Sequence, residues 1–245
     1  MHLLNLASGS GGNATVVAHG GRAILIDAGI SRRRTLAGLE GLALEGILIT
    51  HVHGDHLGPA ARKLGAPVWI DGENARAARR MGRLEGDAEV FDGGTFRVGP
   101  FLVSAIPLPH PGGERWRNWG FRVECGRRRL AYATDLGHVP PGVLEELSGA
   151  HAVFLESNHD PDLERASGRP PDLVDWVLSD HGHLSNEQCA EALGRLGRPH
   201  TVVLGHLSED CNRPALARRT AAKALGSSVR LVVALQREPT PALPV

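Results

Sequence analysis

One short stretch constrains this chain more than any other. After the apolar run Ile47–Thr50 comes Thr50-His51-Val52-His53-Gly54-Asp55-His56-Leu57-Gly58, in which three histidines and a carboxylate fall between positions 51 and 56. In an extended segment His51 and His53 project to the same side, while Asp55 and His56 turn back where the next helix begins. Imidazole and carboxylate suit zinc, manganese or iron, and a loop leaving a strand end lets ligands converge on more than one ion. Whatever fold the chain adopts has to carry this loop at a strand end.

The remaining patterning agrees with a strand-rich scaffold. Short apolar runs with β-branched residues at Leu3–Leu6, Thr15–Ala18, Ala23–Ile26 and Ile47–Thr50 predict successive strands. Helical patterning is expected within Thr35–Leu44, Pro59–Leu64 and Glu73–Met81, each followed by a strand-like segment. Further strands are expected at Phe101–Ile106, Trp119–Glu124, Arg129–Ala133, Ala152–Glu156, Thr201–Leu204 and Val229–Leu235. Ser185 and Gln188 have capping-box spacing at the start of one helix, and Pro214 opens another. Two β-rich halves with interspersed helices predict an α/β fold in which two sheets pack together with helices outside. One domain is expected over residues 1–237, with Glu238–Val245 and its three prolines a loose end.

Composition excludes more than it identifies. Acidic and basic residues balance at 27 each, so a nucleic-acid or membrane partner has to be met by a local patch. Lys63 and Lys223 are the only lysines, which leaves the basic surface to arginine. Cys125, Cys189 and Cys211 are an odd number set far apart, which suggests neither a disulfide framework nor a thiolate metal knot and fits a reducing cytoplasm. No secretory signal and no membrane span is visible, so a soluble, unexported protein is expected.

The histidine-rich stretch resembles the His-x-His-x-Asp-His signature of the metallo-β-lactamase superfamily, and the resemblance extends over nearly the whole chain. It implies an αββα sandwich of two mixed sheets with helices on the outer faces. The superfamily's first motif matches Asp27 in Ile24-Leu25-Ile26-Asp27-Ala28-Gly29, where the aspartate orients the ligand loop without binding metal. Later motifs match His110, Asp135 and His206. The resemblance implies two divalent ions, Zn2+ or Mn2+: one on His51, His53 and His110, the other on Asp55, His56 and His206, with Asp135 between them. A dinuclear centre lowers the pKa of a shared water toward neutrality and supplies a hydroxide nucleophile, which Asp55 is expected to orient.

Four further segments narrow the reaction. Ala7-Ser8-Gly9-Ser10-Gly11-Gly12-Asn13, Glu156-Ser157-Asn158-His159-Asp160, Gly182-His183-Leu184-Ser185-Asn186, and His206-Leu207-Ser208 with Asn212 resemble the YycJ-type family of bacterial metallo-β-lactamase-fold exonucleases. They also resemble the last motifs of the ribonuclease Z group, where a glutamate and a histidine act as a pair beside the metals. The resemblance implies a cytoplasmic phosphodiesterase, with DNA the first expectation and RNA or a small phosphodiester the alternatives. Glu156 and His183 are the expected dyad that protonates the leaving oxygen. Ser10, Asn13, Asn158 and Ser185 are expected substrate contacts, and so is the cluster Arg115-Trp116-Arg117, whose aromatic face and guanidinium groups suit bases and phosphates.

The sequence also departs from that family. Pro111 follows His110 where an aspartate is usual, and Val174 and Trp176 stand where a lysine and an arginine are usual. Two phosphate contacts are thereby lost. A metallohydrolase for a cyclic phosphodiester, lactone or thioester is the second expectation, and a metal-stabilised binding protein without catalysis the third. Arg32, Arg33 and Arg34 fall at a predicted helix start, where they either face a phosphate or form a solvated basic turn.

Overall fold

A computed structural model describes residues 1–110 and 116–245. The first sheet is built from β1 (His2–Ala7), β2 (Ala14–His19), β3 (Arg22–Ile26), β4 (Ala43–Leu48), β5 (Val68–Asp71), β6 (Glu89–Phe91) and β14 (Leu243–Pro244), in the order β14-β1-β2-β3-β4-β5-β6. The second contains β7 (Thr95–Val98), β8 (Phe101–Leu108), β9 (Asn118–Cys125), β10 (Arg128–Ala133), β11 (Ala152–Glu156), β12 (Thr201–Gly205) and β13 (Arg230–Val233), in the order β13-β12-β11-β10-β9-β8-β7. The helices are α1 (Arg32–Gly38), α2 (Gly72–Arg80), α3 (Pro141–Leu147), α4 (Pro161–Arg165), α5 (Pro171–Leu178), α6 (Asn186–Arg195) and α7 (Pro214–Ala222). Among the described residues no helix is long and apolar enough to cross a membrane.

Strand alternation explains the layering. In β3, Ile24 and Ile26 point into the core between the sheets, whereas Ala23 and Leu25 point outward into a cluster shared with α2. In β10 and β11, Leu130, Tyr132, Ala152 and Phe154 face the inter-sheet core, and Ala131, Ala133, Val153 and Leu155 face the cluster that α3, α6 and α7 complete. Strands covered on both faces read as continuous apolar runs, which is why these segments were plain in the sequence.

Strand direction decides where the loops meet. β3 and β4 are parallel, and so are β10, β11 and β12, so each set ends at one edge of its sheet. β8 reaches the same edge as β10 because β9 lies antiparallel to both. Asp27, the His51–His56 loop, His110, Asp135 and His206 all follow these strand ends.

Two expectations are corrected. The helix expected within Thr35–Leu44 starts earlier, at Arg32, because Ser31 caps it, and residues from Ala43 onward belong to β4. The tail is also not loose. Leu243 and Val245 are buried in the inter-sheet core, β14 pairs antiparallel with β1, and Thr240 Oγ1 accepts a hydrogen bond from Asn5 N at 3.0 Å. Thr201 Oγ1, in the opposite sheet, donates to Pro244 O at 2.8 Å. The prolines that suggested disorder are compatible with an edge strand, where one side needs no ladder donor.

The Asn5–Thr240 bond gives a direct test. Thr240→Val keeps the side-chain shape and removes the acceptor, leaving a buried N–H unpaired. Urea unfolding is expected to show a loss of about 1–3 kcal/mol, with metal uptake unchanged.

Candidate metal centre

Asp27 organises the ligand loop. Its Oδ1 accepts from Thr50 N at 2.9 Å and from Thr50 Oγ1 at 3.0 Å, and its Oδ2 lies 2.7 Å from His56 Nδ1. Both side chains of the Asp27–His56 pair are fully buried. Burial pushes the Asp27 carboxyl up, against the pull of His56 and Thr50. With Nδ1 so engaged, His56 turns Nε2 toward Asp55 Oδ2 at 3.3 Å and Asp135 Oδ2 at 3.2 Å. Thr50 Oγ1 also lies 3.0 Å from His51 Nδ1, so His51 presents Nε2, which is 2.9 Å from His53 Nδ1. Thr50 therefore fixes both imidazoles. Its only sequence signal is its position directly before the motif.

The loop is seated on backbone rather than on side chains. Asn13 N donates to Asp55 O at 2.7 Å, and Ala28 N donates to His56 O at 2.8 Å. A Cβ at Gly29 would stand 1.6 Å from Asp55 O, so only glycine permits that approach. Asp27, Asp135 and His206 have positive φ, at 60°, 60° and 54°. Such a conformation costs a non-glycine residue about 1–3 kcal/mol, and here it aims each side chain into the centre.

Among the described residues, nitrogen and carboxylate atoms converge in overlapping sets: His51, His53 and His110; His51, His56 and Asp135; Asp55, His56 and His206; and Asp135, Glu156, His183 and His206. His110 Nδ1 donates to Gly182 O at 3.1 Å, leaving Nε2 for the first set. Burial drives His51 well below the ordinary imidazole value and His110 to about 4, so both offer a free lone pair. Burial also opposes charge on His206, but Asp135, Asp55 and Glu156 raise it to about 10. Asp135 ionises despite burial because His206 and His56 hold its carboxyl well below the usual range. Asp135 Oδ2 and His206 Nε2 are buried with no hydrogen-bond partner. Unpaired acceptors aimed at one space, bordered by neutral imidazoles and carboxylates, are the donor set that a pair of divalent cations fits.

Glu156, at the end of β11, is fully buried and serves four donors. Its Oε1 lies 2.8 Å from His183 Nδ1 and 2.9 Å from His206 Nδ1, and its Oε2 accepts from Leu136 N at 3.0 Å and Leu184 N at 3.2 Å. Burial works against its charge, yet His183 and His206 hold the carboxyl at about 2. His183 keeps Nε2 free, and its side chain is 14% exposed beside the centre.

The expected substrate contacts fare unevenly. Asn13 is buried and donates through Nδ2 to Gly9 O and Asp55 Oδ2, at 3.1 and 3.2 Å. Asn158 Nδ2 donates to His206 O at 2.7 Å, and Ser185 Oγ caps α6 within a complete capping box. These three side chains are spent on positioning ligand residues or capping a helix, which corrects their expected role. Ser10 is exposed in the glycine-rich turn. Trp116 stacks on His51, with centroids 5.3 Å apart and planes 23° apart. Arg117 points into solvent near Asp92, while Arg115 lies outside the described residues. Arg32 and Arg34 bind the carbonyls of Lys63, Leu6 and Arg237, so neither faces a phosphate. His159 is buried in a bridge with Ser185, His138 bonds Asp180 O, His181 is exposed, and Trp119 belongs to the core.

Other residues at the centre carried no readable signal. Ser8 Oγ accepts from His206 N at 2.7 Å, and Asn118 Nδ2 donates to Asp135 O at 2.6 Å, so each pins a left-handed residue. Arg83 donates through Nη1 to Val52 O, which lays a guanidinium against the ligand loop. An isolated serine, asparagine or arginine does not announce such a role.

Comparison with known proteins gives this geometry its family. The family model described as a beta-lactamase superfamily domain matches residues 22–207. An exodeoxyribonuclease, YycJ, from Bacillus anthracis is 33% identical over 238 residues, covering 92% of this chain and 89% of the relative. Among solved structures, Zn(2+)-bound PqqB from Methylobacterium extorquens superposes with a TM-score of 0.75 at 16% identity, covering 98% of this chain and 99% of that one. The short form of human tRNase Z superposes at 0.63 and 18% identity over the whole of both chains. With two packed mixed sheets and a histidine–aspartate cluster at their common edge, the chain belongs to the metallo-β-lactamase superfamily of hydrolases.

Proposed function

We propose that this hydrolase is a dinuclear-metal phosphodiesterase that acts on DNA as an exonuclease. The observation that carries this reading is the Glu156–His183 pair beside the ligand cluster, because a diester with an alkoxide leaving group needs a proton donor as well as a nucleophile. The extensive similarity to a protein named exodeoxyribonuclease supports DNA as the substrate.

His51, His53 and His110 would hold one ion and Asp55, His56 and His206 the other, with Asp135 between them. Zinc or manganese bound there supplies Lewis acidity to the phosphate and lowers the pKa of water. The chain's own groups complete the reaction. Asp55, anchored by Asn13, orients the attacking water. As the new P–O bond forms and the P–O bond to the leaving oxygen breaks, His183 Nε2 delivers a proton to that oxygen. Glu156 holds the His183 ring in place through Nδ1. A small-substrate metallohydrolase is the second reading, and the neutral side chains of Val174 and Trp176 favour it.

Elemental analysis after loading with zinc or manganese is expected to give two ions per chain, and Asp135→Ala is expected to lose tight binding of at least one. Asp27→Ala removes no ligand but frees His56, so chelator competition is expected to show affinity lowered about 10–100-fold.

His183→Ala is expected to slow hydrolysis of a diester with a poor alkoxide leaving group by about 10²–10⁴. With nitrophenolate, a good leaving group, the loss should be far smaller. Equal losses with metal content intact would assign His183 to substrate positioning.

DNA hydrolysis is expected to fall steeply with added salt, and neutralising Arg115 and Arg117 together should flatten that dependence. Efficient turnover of bis-p-nitrophenyl phosphate or a lactone, with no cleavage of single-stranded or duplex DNA, would establish the second reading.

A further inference from the structure

Trp69 and Trp119 pack in or against the core between the sheets, whereas the other two tryptophans lie against the metal centre. Trp176, in the last turn of α5, stands edge-on to His183 with centroids 5.4 Å apart and planes at 87°. It also meets His110, at 5.7 Å and 64°. Trp116, stacked on His51, lies 5.9 Å from the same His110 ring. Both indoles are partly exposed, and Trp176 belongs to none of the three apolar clusters among the described residues.

The charge around Trp176 selects what it can hold. Asp172 and Asp175 share its helix, Asp180 follows, and the sequence has no lysine or arginine from 170 to 194. That surface repels phosphate. A large, half-exposed π-face beside a proton donor and bordered by carboxylates suits a flat, uncharged ring.

We infer that Trp176 is a specificity-determining contact that stacks a nucleobase next to the scissile phosphate, with Trp116 as a second aromatic wall, so that the enzyme takes single-stranded ends. This rests on the nuclease reading and deepens it. In a duplex the base is already paired and stacked, and freeing it costs a few kcal/mol. In a single strand the base reaches Trp176 without that penalty, and its position brings the leaving oxygen beside His183.

The test uses metal-loaded protein and hydrolysis-resistant, 5′-phosphorylated phosphorothioate oligodeoxynucleotides, one bearing bases and one abasic at its terminal positions. Fluorescence anisotropy of a distal dye reads the affinity. The wild type is expected to favour the base-bearing strand by about 5- to 150-fold and to bind a blunt duplex more weakly. Trp176→Ala should erase the preference for bases, and Trp176→Phe should restore most of it, with thermal midpoints and metal content confirming the fold. DNA cleavage by a wild type that does not discriminate between the two strands, or full discrimination by Trp176→Ala, overturns the inference alone. A wild type that neither binds nor cleaves any DNA overturns the nuclease reading and this inference together.

Discussion

Four carboxylates, Asp27, Asp55, Asp135 and Glu156, converge where two apolar sheets end, and among the described residues the cationic partners they meet are histidines. A buried carboxylate without compensation is strongly unfavourable. The local structure follows from this requirement. Thr50, Asn13 and the backbone N–H groups of Leu136 and Leu184 satisfy the oxygens that face away from the centre, and the oxygens facing inward are left for cations. His56 and His206 take part of the charge, each held by a carboxylate behind it and facing others in front. The excess of negative charge is the physical reason that a cation-binding cluster can sit at the end of so apolar a sandwich.

The three left-handed residues belong to the same economy. Asp27, Asp135 and His206 each follow a strand, and an ordinary continuation would carry the side chain along the sheet rather than across its edge. Backbone strain is exchanged for aim, and Thr50, Asn118 and Ser8 hold the strained positions with hydrogen bonds.

Much of this was legible beforehand, for definable reasons. Strands buried on both faces, such as β3, β11 and β12, are continuous apolar runs, and the His51–His56 motif names its own chemistry. The helices α3, α4 and α5 were not read, since each is short and opens with proline, which punctuates a loop as readily as it starts a helix. The tail was misjudged because composition was weighed without the edge strand it completes. Asn13, Asn158 and Ser185 were correctly placed beside the centre but given the wrong partner. A polar side chain near a catalytic loop can face the substrate or the backbone behind it, and only the fold distinguishes these.

The ligands come from both layers. Asp55, His51, His53 and His56 belong to the first sheet, and His110, Asp135 and His206 to the second. Cations held among them would therefore work as a clasp across the mouth of the sandwich, opposing any parting of its halves. By mass action, whatever binds only the closed form raises its resistance to unfolding in step with supply. Availability of the ion would then govern how long the molecule survives as well as how fast it reacts, and a starved cell would hold fewer intact copies rather than a reserve of idle ones.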